Sequence, residues 1–299
     1  MIECRAPQNP QEYEQYYQLR WQTLRAPWQQ PLGSEQDELE TQSVHRMVIN
    51  EQGQVIAIGR LHFTNHNNAQ IRYMAVADSF HGQGLGRVII DALEQVAKKF
   101  GVATITLNAR EQAVGFYQKL GYQGDLVSHV LFGEIKHIAM HKLLKSAISK
   151  HPLAVKELEH TWHTTIPMSK AMGINITYYD QKKLVTTCDL NINKNLHNTM
   201  FAGSIYTLAT LAGWGWLALQ LHEKQLQGDI VLAEAEVKYL SPVEGIAYAT
   251  TSDKNELSEF TRLKNGRNEK VTLTVNITSG EKVAAQFIAT YVVKNRKMN

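Results

Sequence analysis

Residues 195–216 read NLHNTMFAGSIYTLATLAGWGW, an Asn/His-rich turn followed by a helix-like segment without charge. No Asp, Glu, Lys or Arg occurs between Asn198 and Leu221, so the segment is long enough to span a bilayer. However, polar side chains are spread through it, and no cluster of Lys or Arg flanks it. A helix that is apolar on nearly every side is also typical of the centre of a soluble core. We therefore predict a buried central helix and no insertion into a membrane.

The segments on either side of this helix have the alternation typical of β-strands. They lie at 174–178 and 184–192 before the helix, and at 229–240, 245–253, 270–280 and 281–294 after it. A further helix is expected at 154–163. One long helix among several alternating strands favours an antiparallel sheet wrapped around that helix.

The first half of the chain mixes strands and helices. We predict strands at 55–63, 71–77, 102–108 and 138–143, a helix after the glycine-rich turn at 81–86, and a short helix at 111–121. A length of 299 residues suggests two domains, and the polar stretch before Pro152 separates them. We expect a first domain at 1–145, a linker at 146–155 and a second domain at 156–299, in an α+β fold class.

The composition narrows the class of protein. The formal net charge of +3 comes without dense basic patches interleaved with aromatics, so nucleic acid is not an expected partner. The polar N-terminus has no apolar core of the signal-peptide type. Cys4 and Cys188 make no disulfide framework and fit a reducing compartment, so we expect a cytoplasmic protein.

The sequence HGQGLGR at 81–87 lies between a predicted strand and a predicted helix. Its glycines allow a ligand to approach closely, and N–H groups at a helix start attract an anion such as a phosphate. A tight turn without a ligand is an equally open interpretation. A dinucleotide site is disfavoured, because the spacing is G-x-G-x-G and the next strand ends at Asn108, where an acidic residue would be needed.

The same turn resembles the pyrophosphate-binding turn of GCN5-related N-acetyltransferases (GNAT), with His81 in place of the usual Gln or Arg. Met74 and Val76 are similar to the strand that runs along the pantetheine arm in that family. Residues 108–109 (NA) and 116–122 (FYQKLGY) match its downstream pattern. The resemblance implies a mixed, twisted sheet with flanking helices and a site for acetyl-CoA without a metal. The implied contacts are Met74, Val76, His81, Gly82, Gln83, Gly84, Leu85, Gly86, Arg87 and Asn108.

Tyr117 matches the tyrosine that in this family often protonates the departing CoA thiolate, which is a general-acid role. It equally fits a packing role beside Phe116. No Glu or His is marked by its spacing as a base, and no acceptor-binding motif is visible. The acetyl acceptor therefore stays open, and so does the alternative that this domain binds acetyl-CoA without an important transfer.

The loop at 196–204 (LHNTMFAGS) and the segment at 232–243 (LAEAEVKYLSPV) resemble the helix start and the following strand of hot-dog acyl-thioester enzymes. The resemblance implies a side-by-side homodimer whose sites handle acyl groups on CoA or acyl carrier protein (ACP). In the commonest thioesterase pattern an Asp follows Leu-Ala on the helix, but here Thr210 takes that place. Because Thr cannot act unaided as a base or an attacking carboxylate, plain hydrolysis is disfavoured. Glu234 or Glu236 could substitute, although both fit ordinary strand positions.

Decarboxylation of a malonyl thioester needs no base, only donors for the developing oxyanion and a carboxylate held out of the thioester plane. The turn at 195–201 is similar to that of two-domain GNAT–hot-dog proteins of proteobacteria, the malonyl-ACP decarboxylases. That resemblance covers nearly the whole chain and implies that Asn195 is catalytic. His197 and Asn198 would orient the substrate or deliver a proton. Without the resemblance, Asn195 fits a turn or a helix-capping residue.

The resemblance therefore implies a malonyl-ACP decarboxylase that generates acetyl-ACP for the initiation of fatty-acid synthesis, fused to a domain that binds acetyl-CoA. An acyl-CoA or acyl-ACP thioesterase fused to an N-acetyltransferase is one alternative. An N-acetyltransferase with a noncatalytic hot-dog dimerisation module is another. An ACP partner would present an acidic surface, and the basic stretch TRLKNGRNEK at 261–270 could meet it or be a solvated turn.

Overall fold

The computed structural model describes residues 2–65, 67–144, 152–252 and 260–296. The chain forms two compact units, 1–145 and 146–299. Each unit is built on a single sheet with helices packed on it, which confirms the α+β fold class.

The N-terminal unit has a seven-stranded sheet within its described residues. Its strands are β1 (Glu3–Arg5), β2 (Val44–Ile49), β3 (Val55–Asn65), β4 (Asn68–Val76), β5 (Thr104–Arg110), β6 (Gln123–Leu131) and β7 (Ile135–Leu143). They lie in the order β1-β2-β3-β4-β5-β7-β6, and neighbours are antiparallel except for the β4–β5 pair. The helices are α1 (Pro10–Leu24), α2 (Leu85–Lys99) and α3 (Val114–Lys119). This is the mixed sheet with flanking helices that the family resemblance implies.

Strands β4 and β5 diverge after a short parallel contact. Their pairing ends at Ile71 and Leu107, although β4 continues to Val76 and β5 to Arg110. The register of the β3–β4 pair is irregular at Tyr73, which has a left-handed φ of 55°. An irregularity of this kind bends a strand and strengthens its local twist. The sheet therefore opens into a V, with one arm from each strand.

Helix α2 packs closely against this part of the sheet. A Cβ built on Gly59 of β3 would lie 2.5 Å from side-chain atoms of both Ile89 and Met74, so only glycine fits there. Ile89 and Leu93 of α2 are fully buried. The start of α2 is thereby held beside the open end of β4.

The C-terminal unit has a six-stranded antiparallel sheet within its described residues, in the order β10-β13-β12-β11-β9-β8. The helices are α4 (Pro152–Thr165), α5 (Pro167–Ala171), α6 (Ala202–Glu223) and α7 (Thr261–Lys264). The strands are β8 (Asn175–Tyr179), β9 (Leu184–Cys188), β10 (Gly228–Tyr239), β11 (Ala247–Ser252), β12 (Glu269–Ser279) and β13 (Lys282–Asn295). The predicted antiparallel sheet with one long central helix is confirmed.

The predicted linker at 146–155 lies only partly within the described residues. Residues 146–151 lie outside the described residues, and residues 152–155 form the first turn of α4. Pro152 starts this helix because its fixed φ and missing N–H suit the first helical position.

Helix α6 lies at the centre of the C-terminal core. Leu208, Ala209 and Leu217 are all fully buried, and at about 100° per residue they point to different sides of the helix. A Cβ built on Gly215 would lie 2.3 Å from the ring of Trp162, so glycine at this position lets α4 approach α6 closely. Across the part of the chain that the structure describes, every helix is too short or too polar to span a bilayer.

Candidate functional sites in the two units

A cleft of about 990 Å³ lies in the N-terminal unit where β4 and β5 diverge. Most of the residues predicted to contact acetyl-CoA line this cleft: Met74, Val76, His81, Gly82, Gly84, Leu85, Gly86 and Asn108. Gln83 and Arg87 are exposed and are not among the lining residues. Arg87 lies 3.5 Å from Asp91 on the same helix, so the structure does not bring these two predicted contacts to the cleft.

The turn at 81–84 has the geometry of an anion cradle. Gly82 and Gly84 have left-handed φ values of 76° and 77°, which residues with a Cβ rarely adopt. A Cβ built on either glycine meets no atom within 4 Å, so the space above the turn is open. His81 ties the turn to β4, because its Nε2 donates to the carbonyl oxygen of Val76 at 2.9 Å. Gly84 is the N-cap of α2 and offers no side-chain cap, so the first N–H groups of that helix fit the pyrophosphate of acetyl-CoA.

Tyr117 is 8% exposed and lines the same cleft. Its ring packs edge-on against Phe116 and Tyr122, at centroid distances of 5.0 and 5.8 Å. The hydroxyl has no hydrogen-bond partner among the described residues. Burial raises the pKa of Tyr117 to about 12, with Arg110 acting in the opposite direction. The phenol therefore keeps its proton at neutral pH and can donate a hydrogen bond into the cleft.

Two histidines that the sequence did not mark, His129 on β6 and His137 on β7, also line the cleft. Their rings stack with centroids 4.5 Å apart. Nδ1 of His137 lies 3.1 Å from the carbonyl oxygen of Ile135, which can only accept, so Nδ1 carries the proton of the neutral ring. Burial lowers the pKa of His137, and the charges of His129, Arg110 and Arg25 lower it further. Nε2 of His137 is therefore an unprotonated base at neutral pH.

This histidine pair depends on strand pairing, since His129 and His137 are register partners in the antiparallel β6–β7 pair. The hydrophobic pattern of β6 is weak, because the strand is exposed on both faces along most of its length. To find this pair from the sequence, one would have to predict the β6–β7 hairpin and its register. The residue pattern of 123–131 does not support such a prediction.

The wall of the cleft is basic. Arg25, Arg72 and Arg110 line it, and no Asp or Glu occurs among its described lining residues. Arg72 pairs with Asp37 at 3.2 Å. Burial and the charge of Arg25 lower the pKa of Arg110, which has no ion pair within the described residues. The cleft therefore favours negatively charged groups over positively charged ones.

The predicted catalytic residues of the C-terminal unit lie together on one tight loop before α6. Oδ1 of Asn195 accepts from the backbone N–H groups of His197 and Thr199, at 2.8 and 3.3 Å. Nδ2 of Asn195 donates to Oγ1 of Thr199 at 3.1 Å. Asn195 thus has the turn-stabilising role that the sequence also allows. An amide carries two N–H groups, so one N–H of the half-buried Asn195 has no partner among the described residues.

The tip of this loop is exposed. His197 and Asn198 are both exposed, and Asn198 has a left-handed φ of 58°. The end of the loop is held by the N–H of Met200, which donates to the carbonyl oxygen of Val243 at 2.9 Å. This bond joins the two stretches that resemble hot-dog enzymes and fixes the loop at the start of α6.

The position of Thr210 does not suit a carboxylate in a single chain. The hydroxyl of Thr210 is buried without a hydrogen-bond partner, and its carbonyl accepts from the hydroxyl of Tyr291 at 2.9 Å. A carboxylate here would lose its hydration without gaining a partner. Glu234 and Glu236 are exposed on β10. Within the described residues, no group of three or more His, Cys, Asp or Glu could hold a metal ion.

Comparison with known proteins assigns the two halves to different families. Residues 13–122 match the "Acetyltransferase (GNAT) family", and residues 155–295 match "Putative thioesterase (yiiD_Cterm)". A "Putative acetyltransferase" of Bacillus subtilis (strain 168) is 32% identical over 120 residues, which are 40% of this chain and 80% of that protein. The protein YyaT of the same organism is 34% identical over 115 residues, which are 38% of this chain and 74% of that protein. A "putative thioesterase" structure from Shewanella oneidensis is 40% identical and covers 47% of this chain and 97% of that chain, with a TM-score of 0.45.

Proposed function

Since the chain belongs to the acetyltransferase (GNAT) family through its N-terminal half and carries a thioesterase-like hot-dog domain in its C-terminal half, we propose that this enzyme catalyses two reactions. The N-terminal unit transfers an acetyl group from acetyl-CoA to an amine. The C-terminal unit removes CO₂ from malonyl-ACP and leaves acetyl-ACP, a primer for fatty-acid synthesis. The first reaction rests on one observation: the cleft between β4 and β5 holds both the unpartnered hydroxyl of Tyr117 and the unprotonated Nε2 of His137.

In the first reaction, acetyl-CoA supplies the activated acetyl group. The glycine turn at 81–84 would hold its pyrophosphate, and β4 beyond Ile71 has backbone groups released from β5 that can bind the pantetheine arm. Nε2 of His137 accepts a proton from the amine nitrogen, whose lone pair forms the new C–N bond. As the C–S bond breaks, Tyr117 donates a hydrogen bond to the departing sulfur, which takes a proton from solvent. The products are an amide and the free thiol of CoA.

In the second reaction, the loop at 195–201 and the start of α6 supply N–H donors without a buried carboxylate. The bond between the carboxylate carbon and the methylene carbon breaks, its electron pair forms an enolate, and CO₂ leaves. The second N–H of Asn195 and the first N–H groups of α6 donate to the enolate oxygen. A proton from solvent, delivered through His197 or Asn198, completes the acetyl thioester.

This second site would be completed by another protomer. β10 lies at one edge of the sheet and carries exposed apolar side chains, among them Val231 and Tyr239. Leu196 beside Asn195 and Phe201 at the start of α6 are also exposed, by 87% and 57%. A long edge strand with exposed apolar side chains favours pairing with another chain. A side-by-side homodimer would cover these residues and exclude water from the loop.

ACP is the proposed carrier of the malonyl group. In the stretch 261–270 the carboxylate of Glu269 accepts from the backbone N–H of Arg262 at 2.9 Å and is buried. The exposed charged side chains of this stretch are therefore basic, including Arg262, Lys264 and Arg267. Such a surface attracts an acidic carrier protein. The cytoplasm is the proposed compartment, because the unpaired Cys4 and Cys188 suit a reducing environment.

The proposal is tested by incubating the full-length protein with malonyl-ACP and weighing the carrier by mass spectrometry. Loss of CO₂ with the acyl group still on the carrier is the expected result. Free carrier thiol with released acid would instead establish a thioesterase. An unchanged carrier would leave the hot-dog unit as a dimerisation module, and release of CoA thiol from acetyl-CoA on addition of amines tests the N-terminal unit separately.

A further inference from the structure

We propose that the amine acetylated in the N-terminal cleft carries a carboxylate or a phosphate close to its nitrogen, and that Arg25 and Arg110 bind this anion. The inference rests on the proposed acetyl transfer and names the class of its acceptor. Arg25 follows the end of α1, Arg110 ends β5, and both line the cleft. The charge of Arg25 lowers the pKa of Arg110, which shows that the two guanidinium groups act on each other.

The carboxylates of Asp37 and Glu40 form ion pairs with other arginines. Glu40 pairs with Arg20 at 2.8 Å, and Asp37 pairs with Arg60 at 2.5 Å. Asp37 also pairs with Arg72 at 3.2 Å, and Glu40 also pairs with Arg60. Two carboxylates thus serve three guanidinium groups, and none of these ion pairs reaches Arg25 or Arg110.

Arg25 is held in place, and beyond its bonds to the carbonyl oxygens of Ser34 and, at 3.4 Å, Leu24, its N–H donors have no partner among the described residues. Its Nε donates to the carbonyl oxygen of Ser34 at 2.9 Å, and its guanidinium lies over the rings of Tyr73 and Phe132, 5.6 and 5.7 Å from their centroids. Arg110 has no hydrogen-bond or ion-pair partner within the described residues. A guanidinium presents five N–H donors and binds carboxylate or phosphate with two of them at once. Two half-buried cations for which the described part of the chain supplies no counterion are therefore ready to bind an anionic group.

The position of this pair favours the acceptor over the phosphates of CoA. Arg110 is the register partner of His137 in the β5–β7 pair, and its charge acts on the phenol of Tyr117. The pair therefore lies beside the groups that handle the amine and the sulfur. The phosphates have their own cradle at Gly82 and Gly84, and the acetyl group carries no charge. The anion that this pair binds must therefore come from the amine substrate.

The test measures release of CoA thiol from acetyl-CoA by the full-length protein with two matched pairs of amines. Glycine against glycinamide tests a carboxylate, and O-phosphoethanolamine against ethanolamine tests a phosphate. We expect kcat/KM for one anionic member to exceed that of its neutral counterpart by at least about tenfold, the effect of one charge-assisted hydrogen bond. Arg110→Leu should abolish this preference, and Arg110→Lys, which keeps the charge without the planar fork, should restore part of it.

Two further measurements separate this inference from the proposed transfer. The control Lys136→Leu replaces an exposed cation on β7 next to His137 and should keep the preference. Calorimetric titration of N-acetylglycine and N-acetylglycinamide into the CoA complex needs no turnover. The natural protein should bind N-acetylglycine at least about tenfold more tightly than N-acetylglycinamide. The Arg110→Leu variant should bind the two ligands equally.

Each outcome decides one of the two statements. Neutral amines acetylated as well as anionic ones, or a preference that survives Arg110→Leu, would overturn the inference and leave acetyl transfer standing. Malonyl-CoA that binds more tightly than acetyl-CoA through Arg110 would place the anion on the acyl group, and the inference would be wrong. If no amine releases CoA and neither acetylated product binds, the transfer itself fails.

Discussion

In the N-terminal unit the candidate catalytic groups lie inside a cleft that one chain forms by itself, whereas in the C-terminal unit they lie on a surface loop. Tyr117 is 8% exposed, while Leu196 beside Asn195 is 87% exposed. Burial shifts the pKa values of Tyr117 and His137, so the cleft offers a base and a proton donor. The loop offers N–H donors, which stabilise an oxyanion best where water is excluded. A cleft can therefore tune its groups within one chain, whereas the proposed oxyanion site on the loop would need a covering surface.

Replacing His137 tests the cleft with the largest expected effect. His137→Gln should lower kcat/KM for acetyl transfer by roughly 10²–10⁴-fold at pH 7, since a positioned base contributes that much. CoA thiol release is the measurement. His129→Gln is the matched control, because this histidine stacks on His137 but is more exposed, and its loss should be smaller. The reverse order of the two losses would move the base to His129.

The pH dependence of acetyl transfer should also identify His137 as the base. The pKa of His137 lies below its usual value of 6.5 because of burial and the nearby charges of Arg110 and Arg25. The ring is active when neutral, so a lowered pKa keeps it active to lower pH. The rate should therefore fall only as the pH drops well below 6.5, and this acid limb should vanish in His137→Gln. An acid limb unchanged by the substitution would contradict the assignment.

Asn195→Ala tests the loop. Decarboxylation of malonyl-ACP should slow by roughly 10²–10³-fold, the usual effect of removing one oxyanion donor, while acetyl transfer should be unchanged. Because Asn195 also holds its own loop, Thr199→Val provides the control: it removes the loop bond to Nδ2 and keeps the amide. Near-normal decarboxylation by Asn195→Ala would show that the residue serves the turn alone.

Gly84→Glu should damage only the cleft. A side chain at a φ of 77° is strained, and a carboxylate here would fill and repel the phosphate cradle. Acetyl-CoA should bind about 100-fold more weakly by calorimetry, the loss of one or two charge-assisted hydrogen bonds. Gly53→Glu carries the same strain at a φ of 74° in open space away from the cleft, and it should bind acetyl-CoA normally. If both variants bound acetyl-CoA equally weakly, backbone strain alone would explain the loss, and the assignment of the cradle would be wrong.

The smallest effect on activity is expected in the hot-dog core. Gly215→Ala should destabilise the C-terminal unit by about 1–3 kcal/mol, because the new methyl group overlaps Trp162, which is fully buried. Gly203→Ala meets the ring of Phe201, which is 57% exposed and can turn away. Alanine also favours a helix over glycine by about 1 kcal/mol, so this variant should be neutral or more stable. Urea unfolding of both variants is the measurement.

Elements with a regular apolar period were the ones that the sequence predicted well. Helix α1 escaped prediction because its contacts are polar: the hydroxyl of Tyr16 donates to the carbonyl oxygen of Gly59 at 2.9 Å and accepts from Arg20 at 3.0 Å. Both side chains are fully buried, which a hydrophobic pattern cannot indicate for Arg20. The same limit applies to β6, whose mostly exposed side chains leave no period to detect.

The sequence by itself determined the order of the two folds, the glycine cradle at 82–84 and the buried helix after Asn195. These features are local, since apolar period and glycine content act over a few neighbouring residues. Only the tertiary structure decided that Arg25, Arg110 and His137 meet at one cleft. They lie far apart in the chain, and the end of α1, the divergence of β4 from β5 and the β5–β7 register bring them together. The spacing of residues along the chain does not reveal which distant strands pair. The chemistry of the cleft therefore became visible only in the tertiary structure.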